Sequence, residues 1–214
     1  ADPESVADGL GKAMKTPLAP TFSDIRLLDV EPDDRLNELF FDLRLADTTD
    51  RVALAEVCRT VPTASSDDPY SSYFADLADR MDNMNVAGHL TGSIDLVLRL
   101  DGPRFLVVDY KSNRAHPPGD PSWLDHYEEA SLREEMIKHD YPLQAFLYSV
   151  ALHRYLRWRL PEYDPSAHLA GSAYLFLRGM VGPPGTDGRT TGVTCWRPPI
   201  EAVLSADRIL AGDQ

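Results

Sequence analysis

Scarcity sets the first limits on this chain. Only two cysteines occur among its 214 residues, Cys58 and Cys195, with no metal-ligand spacing around either. A disulfide framework is thereby excluded, and two unpaired thiols in a reducing cytoplasm are the expectation. The six histidines are scattered without a recurring His/Cys pattern, which leaves zinc chemistry unsupported. Two thiols also cannot supply the four ligands of an iron–sulfur cluster. No stretch approaches the ~18 uninterrupted apolar residues of a membrane span, so no membrane role is expected. The opening residues Ala1 to Ser5 lack the basic segment and apolar run of a secretory leader. Beginning without Met, they read as mature or excised material. Internal repeats, heptads and long low-complexity tracts are also absent.

Basic charge is scarce too. Lys and Arg number 21 against 34 Asp and Glu, a formal net charge of −13. A field of that sign repels a phosphate backbone, and tight DNA binding usually needs clustered cations. Taken alone, the charge argues against nucleic acid. It suits a domain that receives DNA from something else.

What remains is the composition of a folded protein, 43% hydrophobic and 26% charged, long enough for a substantial core. Residues 1–15 have helical composition, ended by Pro17 and Pro20. From Asn37 to Leu45 the chain alternates, with Leu39, Phe41, Leu43 and Leu45 on one face of a strand. Residues 61–70 carry Pro, Ser and paired Asp and are expected to form a loop. Tyr73, Phe74, Leu77 and Met81 recur at helical spacing. Two strong strands follow, Leu90 to Leu100 and Arg104 to Ser112, joined through Asp101-Gly102-Pro103; residues 114–122 then read as a loop.

Trp123 to Lys138 is expected as one helix whose acidic run, Glu128 to Glu135, forms a solvated face. Pro142 fits a helix's first turn, so a second helix is placed from Tyr141 to about Leu160. Its buried face would carry Leu143, Phe146, Leu147, Val150 and Tyr155. Gly171 to Arg178 is another apolar strand, and Gly179 to Gly192 a mobile or surface loop. A short strand at Val193 to Trp196 and a helix from about Pro199 to Leu210 complete the chain. Strands interspersed with helices imply an α/β fold, a small central mixed β-sheet flanked by helices on both faces.

The chemistry concentrates on the hairpin. With a three-residue loop, Leu100 pairs with Arg104, and Asp95 then lies opposite Asp109 on one face, with Lys111 two residues on. A two-residue loop would separate the two acids. Ile94, Leu96, Leu98 and Leu100, with Leu106 and Val108, would form the opposite, wholly apolar face. Acids in half-buried surroundings are costly unless paired or bound to metal. A hard cation such as Mg²⁺ suits two carboxylates, and a neighbouring lysine could orient water or neutralise phosphate. Two readings stand on these residues alone: an Asp–Lys salt bridge with a second acid nearby, or a metal site for phosphodiester hydrolysis.

The segments Gly92-Ser-Ile-Asp-Leu-Val-Leu98, Val108-Asp-Tyr-Lys-Ser-Asn113, Tyr141-Pro-Leu-Gln-Ala-Phe-Leu-Tyr148, Ala151-Leu-His-Arg-Tyr-Leu156 and Tyr174-Leu-Phe-Leu-Arg-Gly179 resemble RecB-type nuclease domains of the PD-(D/E)XK superfamily. These segments span about residues 90–180, and the first 80 residues resemble the family more weakly. The resemblance implies one nuclease domain over residues 1–214, dependent on Mg²⁺ with Mn²⁺ as a substitute. It implies Asp95 and Asp109 as the acids, Lys111 as the lysine and the Tyr110 carbonyl as a further metal ligand. Gln144 and Tyr148 match the family's Gln-x-x-x-Tyr feature and would hold DNA or orient the site; a polar patch packing on the sheet is the plainer role for either. Glu38 occupies a region where relatives carry an acid.

The implied substrate is single-stranded DNA delivered by a helicase, with RecC and RecD as partner subunits and the recombinase RecA as a client. One departure stands out. The family also uses a histidine on a helix upstream of the first acid, and no histidine precedes His89 here. The chain is therefore read as a fragment starting after that helix, with weak metal binding and weak cutting expected. The competing expectation is a catalytically silent docking module that recruits RecA or RecC. The remaining histidines (His116, His126, His139, His153, His168) are expected on the surface, at caps or in loops. Arg178 is expected to contact DNA or to cap a helix.

Overall fold

Five strands form the central sheet of the computed structural model, which describes residues 2–18, 25–45, 52–82, 84–184 and 189–212. They are β1 (Arg35–Arg44), β4 (His89–Leu100), β5 (Arg104–Lys111), β6 (Leu169–Phe176) and β7 (Val193–Trp196), side by side in that order. The β5–β6 contact is parallel and the other three are antiparallel, so the sheet is mixed. Two short strands, β2 (Val52–Ala53) and β3 (Asn85–Val86), pair separately.

The helices are α1 (Pro3–Lys15), α2 (Leu54–Ala64), α3 (Ser71–Arg80), α4 (Glu129–Lys138), α5 (Tyr141–Arg159), α6 (Pro165–His168) and α7 (Ile200–Ala211). They divide the core in two. The larger cluster packs Val57, Val61, Phe74, Phe146, Val150 and Val203 of α2, α3, α5 and α7 on one face of the sheet. The smaller places Ala13 of α1, with Leu18, Leu27 and Val30, over Leu98, Leu106, Val108 and Ala173 on the other. The α/β architecture with both faces covered is thus the one the element pattern implies.

Several local expectations need correction. The helix α2 was not expected, and it runs to Ala64 with Pro62 in its last turn, so the loop is confined to the residues after it. A proline there removes one N–H from a helix that is about to end, and buried Val57, Cys58 and Val61 fasten the preceding turns. The expected single helix from Trp123 is two pieces, a 3₁₀ turn at Trp123–Tyr127 and then α4, because Glu128 adopts an extended conformation between them. The last residues of the Gly171–Arg178 run form a 3₁₀ turn, Leu177–Gly179. Helix α5 has the expected bounds but is buried around most of its middle, including Ala145, Ser149, Ala151, Leu152 and His153. It lies between the sheet and α7, so no single stripe describes its burial. Pro20 lies outside the described residues, as do positions 185–188 of the Gly/Pro-rich segment.

The hairpin has the register on which the site depends. Leu100 pairs with Arg104, and the ladder continues through Leu96 with Val108. Gly102, at φ 99°, turns the loop in a conformation open to glycine. The face assignment fails at one position: Ile94 belongs to the larger cluster, whereas Leu96, Leu98 and Leu100 belong to the smaller. Alternation therefore breaks at Asp95. In the neighbouring strand, the residue between the Asn37↔Leu96 and Leu39↔Ile94 pairs is Glu38, at a left-handed φ of 53°. The two strands change face together, and a bend of this kind re-aims a side chain. Asp95 stands at the bend.

Candidate active site

The parallel pairing of β5 with β6 and the docking of α5 gather the polar groups around Asp109. Asp109 is 3% exposed, and its strand partner in β6 is Tyr174. Lys111 Nζ lies 2.7 Å from Asp109 Oδ2. The ammonium is the charged partner of that oxygen, in a pair that is almost wholly enclosed. Across the hairpin, Asp95 Oδ2 accepts the Tyr110 backbone N–H at 3.0 Å. Burial pushes the Asp109 carboxyl above its ordinary range; Lys111 opposes that shift and the charge of Asp95 adds to it.

Helix α5 supplies the other wall. Its first turn opens after Asp140, in a left-handed conformation, with Pro142 at the start of the helix where a missing N–H costs nothing. Residues four apart on a helix share a face, so Gln144 and Tyr148 both turn toward the sheet. Gln144 Oε1 accepts from Lys111 Nζ and from the Tyr174 hydroxyl, each at 3.0 Å, while its Nε2 donates to the Tyr148 hydroxyl at 3.0 Å. The Lys111 ammonium also sits 3.9 Å from the centroid of the Tyr141 ring and 5.2 Å from that of Tyr174. Burial, then the nearby carboxylates, keeps the Tyr174 hydroxyl well above its ordinary range and raises Tyr141 and Tyr148 too. These phenols are therefore neutral hydrogen-bonding groups at physiological pH.

Of the positions expected from sequence, the structure brings together Asp95, Asp109, Lys111, Gln144 and Tyr148. Glu38 lies across from the Asp95 position, exposed, and does not complete a group of three acids or histidines suited to a metal among the described residues. Tyr141 and Tyr174 were missed as members of the site. A tyrosine three residues before Gln144 was the available signal for the first, and nothing local marked the second.

Three outer expectations change. Glu135, placed on a solvated face, is 8% exposed and accepts from Asn113 at 3.2 Å, from Lys138 at 3.1 Å and from His139 at 2.9 Å. Burial alone would raise its carboxyl, but Lys138 and His139 outweigh burial and hold it low. It ties α4 to the segment after Lys111. His153, expected on the surface or in a loop, is 3% exposed, between the Tyr163 hydroxyl and Asp207. Arg178 donates to the Ser112 carbonyl at 2.8 Å and so steadies the chain just past the end of β5.

The donor set can be weighed for a metal. Asp95 and Asp109 offer hard carboxylate oxygens, that of Asp109 buried beside the Lys111 ammonium. Magnesium commonly binds through one or two carboxylates and keeps water and substrate phosphate for its other positions. Two acids fit that pattern. They do not fit an all-protein cage.

Comparisons with known proteins identify a family for the chain. A model of the PD-(D/E)XK nuclease superfamily matches residues 26–194. The chain is similar to RecBCD enzyme subunit RecB of Mycobacterium tuberculosis, at 43% identity over 208 residues, 91% of this chain and 18% of that protein. Against the subunit of the same name from Mycolicibacterium smegmatis the identity is 38% over 203 residues, 91% of this chain and 19% of the other. Against that of Haemophilus influenzae it is 32% over 206 residues, 96% and 15%. This chain therefore spans less than a fifth of the length of these relatives.

Proposed function

The chain belongs to the PD-(D/E)XK nuclease superfamily, and on that premise we propose that residues 1–214 form a metal-dependent deoxyribonuclease domain of a RecBCD-type helicase–nuclease. The observation that carries this reading is the buried Asp109–Lys111 pair, 2.7 Å apart, beside Asp95 across the hairpin. A salt bridge serving stability alone has little reason to keep a second carboxylate close enough to raise the first.

In this reading Asp95, Asp109 and the Tyr110 carbonyl hold Mg²⁺, or Mn²⁺ in its place. When bound, such an ion lowers the pKa of water and offsets charge on a phosphodiester. Lys111 keeps its ammonium beside Asp109 because Gln144 Oε1 and the Tyr141 ring hold it there. A fixed cation at that point can neutralise a phosphate oxygen or orient the attacking water without reorganising during the reaction. Gln144 and Tyr148 position the lysine and present polar groups to a DNA backbone. With only two protein carboxylates, metal affinity is weak.

The substrate is single-stranded DNA delivered by the helicase, with RecC and RecD as neighbouring subunits and RecA as a client. Tethering to a motor supplies the local concentration that a chain of net charge −13 would not create by itself. Degradation of labelled linear single strands, circular single strands and duplexes, with Mg²⁺ and with a chelator, tests the proposal. Mg²⁺-dependent loss of the single strands supports it. No degradation of any of them would leave the chain a docking module.

A further inference from the structure

The face of α5 that carries Gln144 and Tyr148 does not end at the candidate site. Steps of four, four, three and four residues lead from Gln144 through Tyr148, Leu152 and Tyr155 to Arg159. At 100° per residue these five side chains fall on one side of the helix, over a length of about 22 Å, with Leu152 buried in the core midway and the others partly or fully exposed. The far end differs from the rest of this acidic molecule. Trp158 is 76% exposed, an unusual state for the largest aromatic side chain. The Arg159 guanidinium lies 5.1 Å from the Trp158 ring centroid and 5.9 Å from that of Tyr155, and the two rings meet edge-on at 6.5 Å.

A cavity of about 440 Å³ adjoins this cluster, lined by Arg35, Leu36, Val97, Arg99, Tyr155 and Arg159 among others. Val97 is two residues along β4 from Asp95, and Leu36 is its partner in β1. The cavity therefore runs beside the same strand that carries the first acid. Its cations are unequally engaged. Arg99 is paired with Asp34 at 2.6 Å, and Asp33 also lines the cavity. Arg35 donates to the Val30 and Leu27 carbonyls and has no carboxylate partner among the described residues. Among the described residues, Arg159 has its ring contacts alone.

We infer that Tyr155, Trp158 and Arg159, with the adjoining cavity, form a stacking platform for single-stranded DNA on its way to or from the Asp95–Asp109–Lys111 site. The inference rests on the nuclease reading for its direction, not for the binding itself. Every base has a π-face, so exposed aromatics beside arginines recognise a single strand without reading its sequence. An arginine stacked on a ring holds its charge in place for a phosphate while presenting little else to solvent. An acidic chain then needs only a few cations, set where the backbone passes.

The test is the affinity of the protein for a labelled oligo(dT), read by fluorescence anisotropy at low salt in chelator. Trp158→Ala is expected to weaken binding about tenfold, and Trp158→Phe to restore most of it. Arg159→Ala should weaken binding and lessen its salt dependence. Circular dichroism serves as the folding control, and so exposed a tryptophan should leave the spectrum unchanged. Wild-type binding that survives Trp158→Ala overturns the proposal; no wild-type binding overturns it as well. Binding that depends on Trp158 in a protein that cuts nothing refutes the nuclease reading and keeps the platform. Cutting by a protein whose binding ignores Trp158 does the reverse.

Discussion

Replacing Lys111 by methionine keeps most of the aliphatic stem and removes the charge beside Asp109. The pair is enclosed, with side-chain exposures of 12% and 4%. Removing one partner of a buried ion pair costs about 3–5 kcal/mol, because the other charge stays behind without compensation. For a chain of this size that lowers the thermal midpoint by about 6–20 °C. The loss should depend on pH in a particular direction. The folded-state pKa of Asp109 is raised by burial and by Asp95, so ionising it opposes folding. That penalty is complete above the folded pKa and disappears below the unfolded one. Without Lys111 the folded pKa rises further. The deficit of Lys111→Met is then largest at pH 8–9 and shrinks toward pH 4–5, down to a residue of about 1 kcal/mol from the lost bond to Gln144. Adding Asp109→Asn to the same chain should erase the pH-dependent part. Thermal denaturation across this range, on the two single variants and the double variant, measures the coupling directly. An equal deficit at both ends of the range, or none at pH 8–9, would refute the reasoning.

Other perturbations follow from the same packing. Burial would raise the Asp207 carboxyl, but His153, Arg154 and Arg157 together hold it well below the ordinary range. Its stabilisation is therefore complete above about pH 4 and lost as acid protonates it, and Asp207→Ala should cost about 3–5 kcal/mol in urea unfolding at neutral pH. Gly171 has a φ of 106°, and a Cβ there would lie 2.5 Å from the Trp196 carbonyl oxygen; Gly171→Ala should destabilise by about 1–3 kcal/mol, and an unchanged midpoint would contradict that contact. Burial raises the Cys58 thiol to about 11 and the Cys195 thiol to about 12. Both should react slowly with a disulfide reagent at pH 8 and rapidly in denaturant, whereas fast labelling of the native chain would place a thiol at the surface.

The hairpin was legible because its information is local: a three-residue loop sets the pairing, and the pairing sets which acids meet. The bend at Asp95 was not, because Ile94 reads as a regular alternating residue and only contact with the larger cluster shows that it faces the other way. Gln144 and Tyr148 could be placed together by helical spacing, yet their bonds to Lys111 and Tyr174 depend on how α5 docks on β5 and β6. Glu135 looked like one of several surface acids. Lys138 and His139 lie three and four residues on along the same helix, but the contact with Asn113 is tertiary and leaves no periodic trace. Burial of α5 was underestimated for a related reason, since a helix packed between sheet and helix need not show one apolar stripe.

The central claim is that Asp95, Asp109 and Lys111 bind a divalent metal and cut DNA as one unit. Calorimetric titration with Mg²⁺ or Mn²⁺, run in parallel with single-strand degradation on the wild type and on Asp109→Ala, tests it most directly. The account predicts weak metal binding by the wild type, and the loss of binding and cutting together in the variant. Metal binding and cutting that persist in Asp109→Ala would contradict it.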